Sequence, residues 1–337
     1  MKIAIIKGYR SLEKMYVESC KSLGLNFDII DVFEDHDWTN KIQENGYDIA
    51  LVRPPCDCVE TRMFFNDIID FIDKAGIRVY PNKDSFKMYE NKRNMAYEFI
   101  ASKVKHPITR VCHDKDNFIS TCLTMGFPLV AKSVVGSGSA GVIIIKNIKE
   151  AHKIARKIFG IHPALALGVI PKVNYRYNLK IPAFGRVSKH AIVLQEFIEF
   201  KWEWRIILIG NTISAYKKLK DKKGFASGSK SYGFGLPPKD LIRTAIDDAK
   251  KLNFTSGALD YFESEKGDYY LNEAQCVFGS KPIMENFPDA QMFDDDGQPC
   301  IYTFTDDGNL NIVYGSFCEY ECSTLRVRHA LNLELLN

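Results

Sequence analysis

The sequence has no long apolar segment and no marked excess of charge of either sign. No run approaches the ~18 apolar residues that a membrane-spanning helix needs, and the apolar run within residues 1–7 is too short for the core of a signal peptide. Lys and Arg number 45, Asp and Glu 42, and the net charge is +3. This balance gives no reason to expect nucleic acid or a membrane surface as a partner. We therefore expect a cytoplasmic protein.

Metal and redox motifs are also missing. The seven histidines form no His-Glu-x-x-His motif, and none of the nine cysteines stands in a Cys-x-x-Cys pair. Cys56-Asp-Cys58 and Cys318-x-x-x-Cys322 could share a zinc ion, but no second ligand pair of standard spacing accompanies them. We favour reduced, mostly buried thiols over a zinc site.

The first 84 residues alternate between apolar, strand-like runs and helix-like segments. Strands are predicted over residues 2–6, 27–32, 48–52 and 77–80, and helices over 11–23, 38–45 and 62–75. Such alternation predicts a small α/β domain with a parallel sheet. No Gly-x-Gly-x-x-Gly follows the first strand, so we expect no dinucleotide site there.

Beyond residue 84 the pattern is mixed. Predicted helices cover residues 85–103 (with Ser85 as a candidate cap), 115–125, 149–159 and 238–252. Predicted strands cover 128–135, 141–146, 192–200, 203–209, 212–218, 257–263 and 268–275. Residues 160–190 are rich in Pro, Gly and Lys, and are either a mobile lid element or an oligomer contact. Alternating runs around Asp306-Asp-Gly-Asn309 predict a C-terminal hairpin.

A lysine and a glycine- and serine-rich loop stand between two predicted strands. Lys132 ends the run that begins at Pro128, and Ser137, Gly138 and Ser139 lie in the following loop. Small residues let backbone N–H groups approach an anion, and a nearby lysine neutralises phosphate charge. The loop is not a Walker P-loop, because no Gly-Lys-Ser/Thr ends it and no helix follows it. The alternative is a glycine-rich hairpin with a surface lysine.

Three further segments have both a structural and a functional interpretation. Lys92 precedes a helix and by itself is an ordinary solvated charge. Glu196, Phe197 and Ile198 belong to an apolar run that would normally be a core strand. A strand of this kind at a sheet edge could instead hydrogen-bond adenine and cover its ring. Glu203 could then accept hydrogen bonds from the ribose hydroxyls.

Two acidic residues flank a predicted turn. Asp260 and Glu273 come close together if residues 257–263 and 268–275 pair as a hairpin. Two carboxylates that face one pocket repel each other unless a cation lies between them. Mg²⁺ suits such a pair, since it prefers oxygen ligands and completes its shell with phosphate oxygens. The alternative is two ordinary polar strand residues.

In order and spacing, these segments resemble the ATP-grasp superfamily. The resemblance spans roughly residues 85–280 and comprises Lys92, the Lys132 loop, Gln195-Glu-Phe-Ile198, Glu203-x-Arg205, Asp260 and Glu273-Ala-Gln275. The nearest branch is similar to the glutamate ligase that modifies a ribosomal protein. Glutathione synthetase and D-alanine–D-alanine ligase are more distantly similar. The loop Phe225-Ala-Ser-Gly-Ser229 also resembles one in ATP-grasp proteins associated with bacterial surface polysaccharides.

The resemblance implies a role for each matched residue. The residues implied to bind ATP are Lys92 and Lys132 at the phosphates, Ser137, Gly138 and Ser139 in the phosphate loop, Glu196, Phe197 and Ile198 at adenine, and Glu203 at the ribose. The residues implied to bind Mg²⁺ are Asp260, Glu273 and Gln275. Those implied in catalysis are Arg205 and Lys218, where Lys218 matches an arginine near the γ-phosphate in the glutamate-ligase branch.

Two positions depart from the family pattern. Gln275 stands where the last metal ligand is normally asparagine, and its longer side chain weakens that match. Ala258 stands where D-alanine–D-alanine ligase has an arginine, which argues against that substrate.

The fold class that the resemblance implies is α/β and α+β, with three subdomains. An N-terminal parallel α/β domain (1–84) precedes a linker helix with a lid subdomain (85–193) and a catalytic subdomain (194–284). The last two are α+β with antiparallel sheets and clamp the nucleotide between them. Residues 285–337 form a C-terminal hairpin extension, expected to pack on the third domain or on a partner subunit. A homodimer is compatible with this organisation.

The implied function is ATP-dependent ligation of a small-molecule carboxylate to an amine through an acyl phosphate, with ATP and Mg²⁺ as cofactors. Such chemistry needs charge neutralisation and alignment, not a protein nucleophile. Two alternatives stay open: a phosphotransferase, and a nucleotide-binding protein without catalysis, which Gln275 supports best. A sugar carboxylate or amino sugar of a surface polysaccharide and an amino acid or peptide are equally compatible substrates.

Four residues are candidates for binding these substrates. Arg53 and Arg62 could hold a substrate carboxylate in a bidentate manner. Lys230 and Tyr232 could contact an anionic donor. For the arginines, the alternative is a solvated side chain at a strand-end turn.

Overall fold

The computed structural model describes the chain apart from residues 9, 56–58, 136–140, 161–166, 169–186, 189–190, 222–223, 225, 227–230, 281–282, 306 and 337. The helices are α1 (Lys14–Ser22), α2 (Trp38–Glu44), α3 (Val59–Lys74), α4 (Lys83–Met88), α5 (Lys92–Ala101), α6 (Lys115–Met125), α7 (Ile148–Phe159), α8 (Lys239–Lys251) and α9 (Glu319–Ala330). The strands are β1 (Ile3–Lys7), β2 (Phe27–Asp31), β3 (Ile49–Val52), β4 (Arg78–Tyr80), β5 (Thr109–Cys112), β6 (Leu129–Lys132), β7 (Val142–Ile145), β8 (Leu167–Gly168), β9 (Val187–Ser188), β10 (Ile192–Glu196), β11 (Phe200–Ile209), β12 (Thr212–Lys218), β13 (Tyr232–Gly233), β14 (Ser256–Ser264), β15 (Tyr269–Gln275), β16 (Cys300–Phe304) and β17 (Leu310–Tyr314).

The N-terminal sheet is parallel, with strand order β2-β1-β3-β4. β1 and β3 are almost wholly buried apolar runs, as expected for strands that helices cover on both faces. Helices α1, α2 and α3 connect successive strands. The predicted parallel α/β arrangement is confirmed, and the element bounds lie within a few residues of those predicted.

The single helix predicted from Ser85 to about residue 103 is wrong. The segment forms α4 and α5, which are separated at Glu90, where the backbone takes a left-handed φ of 51°. Asn82 and Asn91 cap the two helices, since each side chain accepts a hydrogen bond from the N–H group three residues on. Ser85 is the third residue of α4 and not its cap.

The second sheet is antiparallel, with strand order β5-β10-β6-β7, and we call it the lid sheet. Helices α6 and α7 pack against it in one apolar core. The buried residues of α7 recur at helical spacing, as Ala151, Ile154, Ala155 and Ile158. Both helices match their predicted ranges, whereas β6 ends at Lys132, short of the strand predicted over 128–135.

The largest sheet, which we call the central sheet, is antiparallel. Its order is β15-β14-β11-β12-β16-β17, and β13 pairs with β12. The strand predicted over residues 192–200 is wrong, because β10 ends at Glu196 and β11 begins at Phe200. The two strands belong to different sheets, and the predicted boundary at 193/194 falls inside β10. The connection between them therefore crosses from the lid sheet to the central sheet.

The C-terminal hairpin is confirmed and extends the central sheet. β16 pairs antiparallel with β12, and β17 pairs with β16. Helix α9 returns to the N-terminal domain and is not signalled by a local pattern in the sequence. There Val327, Ala330 and Leu331 share a core with Ile3 and Tyr16. The C-terminal segment thus contacts both the central sheet and the N-terminal domain.

Several predicted features lie partly outside the described residues. Within the 160–190 insertion, the structure describes β8 and β9, which pair antiparallel. Cys56 and Cys58 are not described, whereas the seven described cysteines are buried and unpaired, as predicted for buried thiols. Among the described residues, no helix combines the length and the apolar composition needed to cross a bilayer.

Candidate active site

Five charged side chains meet on one face of the central sheet because of its strand register. β11 pairs with β12 through Glu203 and Lys218, and with β14 through Arg205 and Asp260. β14 pairs with β15 through Asp260 and Glu273. Directly opposed residues on neighbouring strands lie side by side, and alternate residues of a strand share a face. The register therefore gathers the predicted ribose ligand, both predicted catalytic residues and two predicted metal ligands.

Asp260 is the most deeply buried carboxylate of this group, with 0% of its surface exposed. Its Oδ1 accepts a hydrogen bond from Arg205 Nε, and its Oδ2 accepts from Arg205 Nη2 and Lys218 Nζ, all at 2.8 Å. Burial by itself would raise the pKa of Asp260, but the charges of Arg205 and Lys218 lower it to about 2. Asp260 is therefore an anion throughout the neutral range.

A chain of polar contacts links Asp260 to the lid sheet. Lys218 forms a second ion pair with Glu203. Glu203 Oε2 accepts a hydrogen bond from Asn272 Nδ2 at 2.9 Å, and Asn272 Oδ1 accepts one from Lys132 Nζ at 2.7 Å. Because Lys132 ends β6, these contacts join the lid sheet to the central sheet across the candidate site.

Asn272 is a site residue that the sequence analysis missed. Asp260 opposes Glu273, but Tyr261 opposes Leu271, so Asn272 is the extra residue of a β-bulge. The bulge lets Asn272 contact the same charged group as its neighbour Glu273, which strict alternation would forbid. Its only sequence signal is its position beside Glu273, since apolar and polar alternation does not reveal a bulge.

Two buried lysines reach Glu273 from outside the central sheet. Lys92 is the first residue of α5, and its Nζ lies 3.4 Å from Glu273 Oε1. Burial lowers the pKa of Lys132 to about 8, although the charge of Glu273 opposes that shift. Burial also raises the pKa of Glu273, but Lys92 and Lys132 outweigh it and the net pKa is lowered. Lys92 is thus a buried partner of a carboxylate rather than a solvated charge.

A small pocket lies between α5, the lid sheet and the central sheet. Its lining residues are Lys92, Met95, Ala96, Phe99, Thr109, Lys132, Val193, Gln195 and Asn272. Lysine ammonium groups and side-chain amides thus line the same pocket as apolar side chains. That combination suits a ligand with both an apolar and an anionic part.

The predicted adenine segment lies where β10 ends. Glu196 N–H donates to Ile108 O at 2.9 Å, and Glu196 Oε1 accepts from Ile108 N–H at 2.8 Å. Phe197 is exposed and Ile198 half-buried, within the connection between β10 and β11. This connection crosses between the two sheets, where a bound ring would be covered, and the adenine role of these residues stays a prediction.

Gln275 makes a different contact from the other predicted metal ligands. Its Oε1 accepts a hydrogen bond from the backbone N–H of Glu90 at 3.2 Å. The amide oxygen therefore ties β15 to the connection between α4 and α5. Ser137, Gly138 and Ser139 of the predicted phosphate loop lie outside the described residues.

The four candidate substrate ligands occupy different places. Arg53 and Arg62 are both buried, so neither is the solvated arginine of the alternative interpretation. Arg62 Nε donates to Tyr89 O at 3.1 Å and so holds the α4–α5 connection. Tyr232 lies on β13, half-buried, and Lys230 lies outside the described residues.

The carboxylates suit a Mg²⁺ ion that shares its ligands with phosphate. Within the described residues, no group of three His, Cys, Asp or Glu side chains could hold a metal. Asp260 and Glu273 stand opposite each other, and Mg²⁺ usually takes one or two carboxylates together with substrate phosphates. The donor set therefore fits a phosphate-bound ion and does not fit an all-protein metal cage.

The site as a whole is richer in cations than in anions. Its basic side chains are Lys92, Lys132, Arg205 and Lys218, and its carboxylates are Glu203, Asp260 and Glu273. Charges interact strongly where water is excluded. A buried cluster with an excess of positive charge favours an anionic ligand.

No protein-family model matches the sequence, and the comparison with curated proteins found no match. Solved structures of similar fold include an ATP-grasp RimK-domain protein from Sphaerobacter thermophilus, at 15% identity and a TM-score of 0.53, with 82% of this chain and 92% of that chain covered. N5-carboxyaminoimidazole ribonucleotide synthetase from Thermotoga maritima is 16% identical, with a TM-score of 0.59. The match covers 99% of this chain and 76% of that chain. D-alanine–D-alanine ligase from Bacillus anthracis, solved with ATP, is 14% identical, with a TM-score of 0.54. The match covers 82% of this chain and 86% of that chain. Identities this low carry an argument about the fold alone.

Proposed function

We propose that this chain, which has the ATP-grasp fold, is an ATP-dependent carboxylate–amine ligase. The observation that carries the proposal is the buried Asp260, held by Arg205 and Lys218 and directly opposite Glu273. Lys92 and Lys132 approach Glu273 from α5 and the lid sheet. Clusters of buried charges with shifted pKa values are concentrated at functional sites, so this cluster supports a charged ligand.

The proposed reaction has two steps. A carboxylate oxygen of the first substrate attacks the γ-phosphorus of ATP, and ADP leaves. The amine of the second substrate then attacks the acyl carbon, loses a proton and displaces inorganic phosphate, which leaves an amide. Neither step needs a protein nucleophile, but both need aligned substrates and neutralised phosphate charge.

We assign the phosphate charges of ATP to the lysines of the site. Lys92 and Lys132 are buried on the pocket side and carry ammonium groups that can contact phosphate oxygens. Lys218 is placed between Glu203 and Asp260 and would meet the γ-phosphate. Arg205 acts through Asp260, which it orients with two hydrogen bonds.

Asp260 and Glu273 would hold Mg²⁺. When bound, the ion would polarise phosphoryl oxygens and neutralise part of the phosphate charge. Arg205 and Lys218 keep Asp260 ionised, and Lys92 and Lys132 do the same for Glu273. Both carboxylates are therefore ionised at neutral pH, and Asp260 would exchange part of its contacts with Arg205 and Lys218 for the ion.

The pocket supports a place for the nucleoside. Val193 and Gln195 of β10 line it together with Phe99 of α5, next to the two lysines. Adenine in this pocket would lie close to the connection between β10 and β11, which holds Phe197 and Ile198. The resulting orientation directs the phosphates toward Asp260 and Glu273.

One observation favours a second candidate function. The oxygen of Gln275 already accepts a hydrogen bond from Glu90 N–H, so it would have to break that contact to join a metal shell. A chain that binds ATP without turning it over is the second candidate. A phosphotransferase shares the same ATP site and is separated from the ligase by the products.

The decisive experiment follows oxygen atoms from the carboxylate. Purified protein is incubated with MgATP and a panel of ¹⁸O-labelled carboxylates paired with amines, and ADP, phosphate and products are analysed by mass spectrometry. A ligase transfers one ¹⁸O atom from the carboxylate to inorganic phosphate and forms an amide. A phosphotransferase forms ADP and a stable phosphorylated product without that transfer.

Matched variants make the result specific to the site. Asp260→Asn and Lys132→Met should abolish ADP formation, whereas Lys153→Met, at an exposed position of α7, should leave it unchanged. The ATP-binding candidate predicts that MgATP raises the melting temperature of wild-type protein and not of Lys132→Met, while no carboxylate–amine pair yields ADP. That outcome would reject the ligase in favour of the ATP-binding candidate. ADP formation that survives Asp260→Asn would show that the site is elsewhere.

A further inference from the structure

The topology of the N-terminal sheet contains a switch point that the proposed ATP site does not use. In the order β2-β1-β3-β4, the chain moves to one side of β1 and then crosses to the other side, so β1 and β3 flank a switch point. Open α/β sheets bind ligands outside the carboxyl ends of their strands at such points. Arg53 directly follows β3 and therefore stands at this edge.

Three hydrogen-bond donors near this edge are buried without an acceptor among the described residues. They are Nε of Arg53, Nε of Arg326 and the hydroxyl of Tyr16. The exposed fractions of these three residues are 8%, 2% and 0%. Buried donors are nearly always paired, and an unpaired one indicates a missing acceptor such as a bound ion, ligand or water.

Arg326 carries the strongest sign of a missing anion. Its guanidinium lies 5.8, 5.9 and 5.4 Å from the ring centroids of Tyr16, Tyr80 and Phe278. Its Nη2 donates to Cys276 O at 2.6 Å. Within the described part of the chain, no carboxylate forms an ion pair with it. A fully buried charge without a counter-charge is costly, so an anion at this point would complete the site.

The three donors belong to one cluster. Arg53 Nη2 donates to Phe278 O at 3.1 Å, and Arg326 stacks on the ring of the same residue. Burial raises the pKa of Tyr16, and the positive charges of Arg326 and Arg53 act in the opposite direction. Both arginines are therefore close enough to Tyr16 for their fields to reach its hydroxyl.

One carboxylate already borders the cluster. Glu321 forms an ion pair with Arg53 from a segment of α9 in which Tyr320, Glu321 and Cys322 all have left-handed φ. About a third of the Glu321 side chain is exposed, so it lies at the outer side. Glu321 compensates one of the two guanidinium groups, and the charge of Arg326 remains.

We propose that Arg53, Arg326 and Tyr16 form a subsite for an oxyanion, a carboxylate or phosphate group, on a substrate other than ATP. The proposal rests on the proposed function, because it assigns an anionic anchor to one of the two ligated substrates. The subsite adjoins the end of β15, where Cys276 follows Gln275. Since α9 supplies Arg326, the C-terminal segment becomes part of substrate selection.

The test measures anion binding to the full-length protein in the absence of ATP. Thermal unfolding is followed in acetate, in inorganic phosphate and in chloride at equal ionic strength. Phosphate also stabilises proteins by exclusion from their surface, but that effect is common to all variants and cancels in the comparison. Wild-type protein should melt at higher temperature in acetate or phosphate than in chloride. The more effective anion identifies a carboxylate-bearing or a phosphate-bearing substrate.

Variants separate a binding site from a purely structural arginine. Tyr16→Phe removes only the hydroxyl and keeps the ring, and it should weaken anion affinity about tenfold. Arg326→Met should abolish the anion effect, and Arg53→Met should reduce it. Arg328→Met is the matched control on the same helix, since Arg328 Nη1 donates to Glu334 O away from the cluster. If Arg326→Met does not fold, Tyr16→Phe still decides the question.

Two results would overturn the subsite. The first is equal melting of wild-type protein in all three anions, and the second is an anion effect that Tyr16→Phe and Arg53→Met leave intact. Either result can coexist with amide formation from ATP, which would reject the subsite alone. An Arg326-dependent anion effect without ADP formation on any substrate pair would instead reject the ligase and keep the subsite.

Discussion

Asp260 and Glu273 lie directly opposite each other on β14 and β15, and each is neutralised from a different direction. Arg205 and Lys218, on β11 and β12, hold Asp260 within the central sheet. Lys92 contacts Glu273 from α5. Asp260 is thus held inside the central sheet, and Glu273 is held where that sheet meets α5. A ligand bound between the two carboxylates would therefore connect the central sheet with α5.

Replacing Asp260 with asparagine should destabilise the fold and prevent ATP from binding productively. The amide keeps the size of the side chain, but leaves Arg205 and Lys218 without their counter-charge in a buried site. Loss of one partner from a buried ion pair costs about 3 to 5 kcal/mol, and urea unfolding would measure that loss. Asp247→Asn, at an exposed position of α8, is the control and should unfold like wild type. Equal stability of the two variants would contradict the burial of the pair.

ATP affinity should fall as pH rises through the pKa of Lys132. Burial lowers that pKa from 10.5 to about 8, so the ammonium that attracts phosphate is lost above that pH. Calorimetry between about pH 6.5 and pH 9.5 should show ATP binding that weakens toward tenfold per pH unit above the pKa. Lys132→Met should bind ATP weakly with a flat profile, while Lys153→Met should keep the inflection. An inflection that persists in Lys132→Met would assign it to another group.

His329 should make the fold sensitive to mild acid. Its Nδ1 lies 3.0 Å from the hydroxyl of Tyr80, and burial, together with the charges of Arg326 and Arg78, lowers its pKa from 6.5 to about 4. The folded state thus binds a proton more weakly than the unfolded state. The contribution of His329 to the free energy of unfolding is complete above about pH 6.5 and is lost as pH falls toward 4, by about 3 kcal/mol in total.

Urea unfolding at several pH values between those limits would test this contribution. His329→Gln should have a shallower loss of stability with acid than wild type. His152→Gln, at an exposed position of α7, should match the wild-type slope. The pKa of Asp260 is already about 2, so this carboxylate contributes little in the same window. Identical slopes for His329→Gln and wild type would refute the role of His329.

Gly257 should not tolerate a side chain. A Cβ there would lie 2.3 Å from Phe254 Cζ and 2.6 Å from the backbone oxygen of Gln275. Overpacking of this kind costs about 1 to 3 kcal/mol, and a shift of β15 would also disturb Glu273. We expect Gly257→Ala to lower both the urea midpoint and the affinity for MgATP. Gly279→Ala, where no atom lies within 4 Å, should be neutral; similar losses in both variants would argue against the steric cause.

Local sequence patterns were sufficient for most of the elements. The apolar runs of β1 and β3 and the helical spacing of α7 predicted their structures closely, because burial on two faces or on one stripe leaves a periodic signal. The ordered motifs also predicted the fold that the structural comparisons support. They named Asp260, Glu273, Arg205 and Lys218, which the structure brings together.

Local patterns failed where a few residues interrupt an element or where pairing is long-range. The break at Glu90 splits one predicted helix into two, and three residues after Glu196 move the chain from one sheet to another. Neither interruption changes the apolar periodicity enough to be noticed. Helix α9 was missed for a related reason: its first residues are non-helical, and its packing partners on α1 lie some 300 residues away in the chain.

By itself, the sequence determined which side chains are available and in what order they appear along the chain. Only the tertiary structure decided which of them meet: Lys132 with Asn272 through a bulge, Gln275 with Glu90, and Arg326 with Tyr16. The physical reason is that periodic burial is a local property, which the order of apolar and polar residues within each segment reveals. Contacts between charged groups depend on strand register and on packing between distant segments, which no single stretch of sequence encodes.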